Sequence, residues 1–234
     1  MKIKINLTDS PLVVFVKQRF QYKKLRLIFG WIGGAIIIMN SDINVDGFCV
    51  GIPIAVLGEM IRIWASGFIE KKGKLFASSG PYAYVRNPLY VGNFLLGLGV
   101  AVVMGRIWIL AAYVVGFIVL YSGTIREEEK ELRERFGAPY AKYLKEVPRF
   151  IPRITPYSGR QKSSFNVKLI LKHREYVTII FLFLIFIGQY LWQKLGVQGE
   201  SVSQHLLALI VECFLILAAV LEKVFRKSID KQVK

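Results

Sequence analysis

Residues 80–92 read Gly-Pro-Tyr-Ala-Tyr-Val-Arg-Asn-Pro-Leu-Tyr-Val-Gly, and an apolar run follows at once. Asn87-Pro88 reads as an N-cap and first helical residue. Proline lacks the amide proton that this position cannot use, and an asparagine oxygen can accept a bond from the first turn. Proline also drives Asn87 out of helical geometry, so the residues before it form a fixed turn that presents tyrosines and an arginine to a helix start. Such a start favours an anion. The plainer alternative is a capped membrane helix with interfacial tyrosines.

Working outward, the apolar runs set the class. Phe48–Phe68, Pro88–Met104, Ile107–Ile125, Tyr176–Trp192 and Val202–Val224 approach or reach the roughly 20 residues that a helix needs to cross a bilayer. Leu25–Asn40 adds a short first span. The turn at Gly105-Arg106 is tight enough to force the third and fourth spans into an antiparallel hairpin. The expected fold is all-α, a polytopic bundle of about six spans with short cytoplasmic amphipathic helices. Its parts are a basic N-terminal arm (1–24), a membrane core (25–157), a basic linker (158–174) and a C-terminal hairpin with a basic tail (175–234).

Charge supports that layout. The 234 residues are 54% hydrophobic and carry a formal charge of +16, which suits a membrane protein better than a nucleic-acid binder. All but three of the 32 lysines and arginines fall in segments that the layout puts on one side, the exceptions being Arg62, Arg106 and Lys194. By the positive-inside rule both termini are cytoplasmic. Cys49 and Cys213 lie far apart in apolar runs, His173 and His205 are isolated, and no metal-ligand spacing is present.

Two places invite chemistry. Inside the second span, Glu59 and Arg62 are three apart and can pair on one helix face. They form either a self-satisfied pair or the lining of a polar pocket, the usual place for membrane charges. After the fourth span, residues 126–137 form a charged helix that Gly137 can end. There Glu129 can pair with Arg133, Glu131 with Arg135, and Glu127 with Lys130, all surface pairs. Glu128 has no partner at helical spacing, which makes it the better ligand-binding candidate. Residues 138–152 offer a short amphipathic helix around Tyr140, Tyr143 and Leu144 that lies on the bilayer or roofs a site.

The ordered set Gly-Glu-x-x-Arg, Gly-Pro-Tyr, Arg-Asn-Pro-x-Tyr-x-Gly, an apolar hairpin, Arg-Glu-Glu-Glu, Phe-Gly-x-x-Tyr and Val-Pro-Arg spans about residues 54–152. It resembles the isoprenylcysteine carboxyl methyltransferase and phospholipid methyltransferase superfamily. The resemblance implies an integral membrane enzyme that uses S-adenosylmethionine and methylates a membrane lipid or lipid-anchored acceptor. It implies cofactor binding by Lys74, Leu75, Phe76, Ala77, Tyr82, Arg86, Asn87, Pro88, Leu89, Tyr90 and Glu128. Arg126 stands loosely where the family has a substrate-facing arginine, and Glu59 and Arg62 join it as catalytic candidates. Asn87 replaces the histidine of the carboxyl methyltransferases, as in phospholipid methyltransferases. Arg62, Arg86 and Arg126 favour an anionic acceptor head, with its chain along the third and fourth spans. The rival readings are a sterol-reductase-type enzyme using NADPH and a non-catalytic membrane scaffold or transporter.

Overall fold

The computed structural model describes Ser41, residues 45–69 and residues 75–232, with side chains described as far as Lys223. The N-terminal arm, the span expected at 25–40 and Lys74 lie outside the described residues.

The described residues form six α-helices and no strand. They are α1 (Val45–Ser66), α2 (Pro88–Val103), α3 (Ile107–Glu146), α4 (Val167–His173), α5 (Glu175–Leu191) and α6 (Leu206–Gln232). Short 3-10 turns at Gly80–Ala83 and Val202–His205 precede α2 and α6, and α5 runs on as a π-helical turn, Trp192–Val197. Four helices are long and apolar enough to cross a membrane, and α2 is a shorter apolar helix. These five match the runs expected at those positions.

Glycine sets the distance between α1 and α2. Gly51 and Gly58 on α1 face Gly99 and Gly92 on α2, so the helices run antiparallel with two pairs of glycines in register. A Cβ on Gly58 would lie 2.5 Å from the Leu96 nitrogen and 2.7 Å from the Gly92 carbonyl oxygen. Backbones this close give van der Waals contact that lipid chains cannot match, the usual device of helix pairs in membranes.

The α2–α3 hairpin turns at Gly105, whose φ of 67° is easy only for glycine. Tyr113 then ties α3 to α2 by donating to the carbonyl of Phe94 at 2.9 Å.

The run from Ile107 to Phe136 is one unbroken helix, about 45 Å long at 1.5 Å per residue. A hydrocarbon layer of roughly 30 Å leaves a third of it outside. The charged helix expected after the fourth span is therefore that span's own continuation. At Gly137 (φ 60°, ψ −136°) the chain turns, and Pro139 starts the short helix expected there. That helix buries Tyr140 and Tyr143.

The stretch expected as a basic linker, 158–174, is tied to the core, as is Tyr157 just before it. Tyr157 donates its amide to the carbonyl of Ala83 at 2.8 Å, Gln161 and Ser78–Ser79 exchange two bonds, and Asn166 donates its amide to Gly67. Asn166 caps α4 by accepting from the Lys168 amide at 3.0 Å. Arg174 ends α4 in the left-handed region (φ 63°) and pairs with Glu222 of α6. At the other end of the C-terminal hairpin, Glu200 accepts from Lys194 at 2.8 Å and lies 2.6 Å from His205. Each end of the α5–α6 hairpin is thus closed by an ion pair.

Candidate functional site

The turn before α2 is held from behind by the end of α3 and the segment that follows it. Arg86 donates its amide to the carbonyl of Pro148 at 2.9 Å, Arg153 donates to Tyr84 at 3.0 Å, and the Tyr143 hydroxyl donates to the carbonyl of Tyr82 at 2.7 Å. The side chain of Asn87 does not cap α2; it donates to Glu129 at 3.3 Å. Its backbone carbonyl receives the Tyr90 and Val91 amides.

Glu129 is the hub of this arrangement, which corrects the surface pairing expected with Arg133. It is buried, and Arg149 grips it with two nitrogens at 2.6 and 3.1 Å. Arg86 approaches the same carboxylate at 3.3 Å. The bond to Glu129 raises the Arg149 pKa further, so this guanidinium is permanently charged. One carboxylate thus ties α3, the turn before α2 and the loop after α3 together.

Glu128 sits one position earlier, about 100° round the helix, and faces the other way. It lines a cavity of about 650 Å³ and accepts a 2.8 Å bond from the Tyr90 hydroxyl, so it is partnered after all. Glu131, Leu132 and Arg135 share its face at helical spacing and line the same cavity. Leu89, Tyr90 and Asn93 of α2 form a second wall, and Arg62 and Ser66 of α1 a third.

The last wall was not foreseen. His173 and Glu175, at the α4–α5 junction, line the cavity too. Glu175 is buried, binds Arg62 at 2.7 Å and receives the Ser66 hydroxyl at 2.6 Å. Arg62 also pairs with Glu59 at 3.2 Å, as the i, i+3 spacing predicts, and with Asn93. Asn93 was legible as a cavity residue, since it follows Tyr90 by three positions. Glu175 was not, because 113 residues separate it from Arg62.

A smaller aromatic pocket of about 100 Å³ adjoins this cavity and shares Ile69, Leu132 and Arg135 with it. Leu75, Phe76, Ala77, Tyr82 and Arg86 line it. Phe76 packs among Phe136, Tyr140 and Tyr143 with ring centroids 5.1–5.6 Å apart. Burial raises the pKa of Tyr82 and Tyr143 and pushes Tyr140 up to about 12, so these hydroxyls stay protonated and serve as donors. The Tyr82 hydroxyl and the Arg86 Nε are buried with no partner.

Ten of the expected cofactor residues thus lie in or beside two joined cavities. Leu75, Phe76, Ala77, Tyr82 and Arg86 line the small one, Leu89, Tyr90 and Glu128 the large one, and Asn87 and Pro88, which line neither, join Arg86 to Leu89 along the chain. Among the catalytic candidates, Arg62 lines the large cavity and Glu59 lies behind it. Arg126 is not brought in: it is exposed and donates to the carbonyl of Ser122 one turn back on its own helix. The arginines expected to welcome an anionic head are otherwise engaged, Arg62 by two carboxylates and Arg86 by Glu129.

Apolar helices long enough to cross a bilayer, with a polar cavity and an aromatic annex among them, define an integral membrane protein. Comparison with known proteins shows what part of the chain resembles. Residues 30–139 match the phospholipid methyltransferase family. A cobalt-zinc-cadmium resistance protein of Cupriavidus metallidurans is 31% identical over 119 residues, covering 50% of this chain and 53% of that protein. Protein-S-isoprenylcysteine O-methyltransferases of Schizosaccharomyces pombe and Xenopus laevis are 37% and 36% identical, over 36% and 45% of this chain and 36% and 40% of theirs. The likeness to phospholipid and isoprenylcysteine methyltransferases thus covers a little under half of the chain. The chain spans about half or less of the length of these curated relatives, and no solved structure matches it.

Proposed function

We propose that this protein is an integral membrane methyltransferase that takes its methyl group from S-adenosylmethionine and gives it to a lipid or lipid-anchored acceptor. The observation that carries the reading is the junction of the two cavities along the Glu128, Leu132 and Arg135 face of α3.

The residues present fit the cofactor. Phe76, Tyr82 and Tyr140 offer faces and edges for an adenine. The orphaned Tyr82 hydroxyl and Arg86 Nε are donors awaiting acceptors. Glu128 suits hydroxyls or an ammonium group, and the α2 start suits a carboxylate. Small-molecule sites typically enclose about 300–1,000 Å³, a range into which the large cavity falls. When bound, S-adenosylmethionine supplies a methyl group on a sulfonium, an activated leaving group. The protein's share is then to orient donor and acceptor in line and to exclude water. Arg62, held by Glu175, Glu59 and Asn93, gives the cavity a fixed polar floor against which an acceptor can be positioned.

The test is transfer of labelled methyl from S-adenosylmethionine into a total lipid extract by the purified protein in nanodiscs. Label in the lipid fraction is expected, base-stable for an N-methyl head and base-labile for a methyl ester. Thermal stabilisation by S-adenosylmethionine but not by NADPH is expected alongside. Stabilisation by NADPH alone would make the protein a reductase.

The site faces the cytoplasm in this reading, because the positively charged segments surround it. With Cys49 and Cys213 replaced by serine, a cysteine at Gln198 should react with an impermeant reagent on intact cells. One at Ser163 should react only after permeabilisation. The reverse pattern would invert the topology.

A further inference from the structure

His173 stands outside the matched family region, yet it lines the large cavity from the end of α4. This helix is pinned at both ends to the loop that follows α1. The Asn166 amide donates to the carbonyl of Gly67 at 3.0 Å, and the imidazole Nε2 of His173 lies 2.9 Å from the carbonyl oxygen of Ile69. A carbonyl oxygen only accepts, so Nε2 carries the proton and Nδ1 of the neutral ring holds a lone pair. Among the described residues Nδ1 has no hydrogen-bond partner. The cavity wall therefore contains an oriented, unprotonated imidazole nitrogen that the protein does not itself engage.

The charges around it favour a cation. The guanidiniums of Arg62 and Arg135 face the carboxylates of Glu128, Glu131 and Glu175, and the Tyr90 hydroxyl is the other titratable group of the lining. Negative charge is in excess, and Arg62 is already held by Glu175 and Glu59. An amine enters such a space as an ammonium ion, which has no lone pair with which to attack a methyl group. It must first lose a proton. A carboxylate, ordinarily titrating near about 4, is a poor acceptor for that proton, whereas an imidazole titrates close to neutrality, where a general base works best. Glu175 is also occupied by Arg62 and Ser66, and Glu128 by Tyr90.

We propose that His173 is a general base that takes, through Nδ1, the proton an amine acceptor must lose before it is methylated. This deepens the methyltransferase reading and rests on it. The ammonium proton passes to Nδ1, the nitrogen lone pair so freed forms the bond to the methyl carbon, and the carbon–sulfur bond breaks with its electron pair left on sulfur. The positive charge that His173 takes up is met by the Ile69 carbonyl at Nε2 and by the surplus carboxylate of the lining. A carboxylate acceptor would bring no proton and would leave His173 idle.

The experiment uses the full chain in nanodiscs and has two readouts. The first is nitrogen NMR with isotope-labelled histidine, in which the chain's 2 histidines are told apart by His205→Gln. Above the titration of the ring, His173 should show a protonated Nε2 and a bare Nδ1. A proton on Nδ1 of the neutral ring overturns the proposal, and this measurement needs neither turnover nor a stable His173 variant. The second is transfer of labelled methyl from S-adenosylmethionine to phosphatidylethanolamine. His173→Gln keeps an N–H for the Ile69 carbonyl but has no base, so kcat should fall about 100-fold or more while S-adenosylmethionine affinity and the thermal midpoint stay near native. A base must be unprotonated to act, so the native kcat should rise with pH through one ionisation near neutrality, and the variant should lose that limb. Imidazole in the buffer should restore part of the rate to His173→Ala. A native rate and pH profile in His173→Gln overturns the role of His173 and leaves the methyltransferase reading standing. So does label found only as methyl ester. No label in any lipid with the native protein overturns that reading and the base with it.

Discussion

A single methyl group at Gly58 should separate α1 from α2 and dismantle the cavity above them. The Cβ of alanine there would meet the Leu96 nitrogen at 2.5 Å and the Gly92 carbonyl oxygen at 2.7 Å. Both are backbone atoms, so no rotamer change relieves the contact and a helix must move. Overpacking of a well-packed interface typically costs about 1–3 kcal/mol, and a clash with backbone belongs at or beyond the upper end. Arg62 of α1 and Asn93 of α2, which bond to each other across the cavity floor, lie one turn or less from this contact. Gly58→Ala and Gly99→Ala should therefore lower the thermal midpoint in detergent and weaken ligand binding together. The control is on α3, where a Cβ at Gly116 or Gly123 meets nothing within 4 Å. Alanine at either should be neutral, or stabilising by up to about 1 kcal/mol through helix propensity. If Gly58→Ala melts with the native protein, the close approach of α1 and α2 is wrong.

That contact was written in the sequence as well as in the fold. Gly51 and Gly58 are seven apart, as are Gly92 and Gly99, and two glycine pairs at one spacing on neighbouring antiparallel spans specify a glycine-lined seam. The spans themselves were legible because apolar length is a strong signal. Glu129 was misread because pairing at i+4 looks only along one helix. Arg149 is 20 residues away and returns past the glycine kink at 137 to reach it. Asn87 was taken for a cap because an asparagine before proline so often is one; here its side chain donates through Nδ2 to the buried carboxylate of Glu129, and its oxygen accepts no bond from the first turn. Arg174 and the α4 helix before it were hidden in a basic stretch that composition alone reads as linker. Glu175 and His173 enter the cavity from beyond the region that carries the family motifs, and no local pattern announces a contact over that distance.

The adjacent glutamates of α3 should separate binding from folding. Glu128→Gln removes the charge from a carboxylate that faces the large cavity and keeps a side chain of the same size. A hydrogen bond to a charged group is worth about 1.5–3 kcal/mol, so S-adenosylmethionine affinity should fall roughly 10- to 100-fold. The residue is exposed, and its bond to Tyr90 can be kept by an amide oxygen, so the thermal midpoint should barely change. Glu129→Gln should do the opposite. Sequence alone makes it the harmless control, a surface pair worth about 0.3–0.5 kcal/mol. In the structure it deprives Arg149, Arg86 and Asn87 of their shared partner. Breaking a fully buried pair costs about 3–5 kcal/mol, and the Arg149 side chain is 43% exposed, so about 2 kcal/mol is expected here. The turn before α2 would loosen, and cofactor affinity would fall because the protein is destabilised. Calorimetric titration and thermal unfolding of the two variants side by side make the comparison. Glu128→Gln losing affinity at native stability, and Glu129→Gln losing stability first, is the expected pattern. If Glu129→Gln keeps native stability the hub is wrong, and if Glu128→Gln binds S-adenosylmethionine as tightly as the native protein, the cofactor does not touch this face of α3.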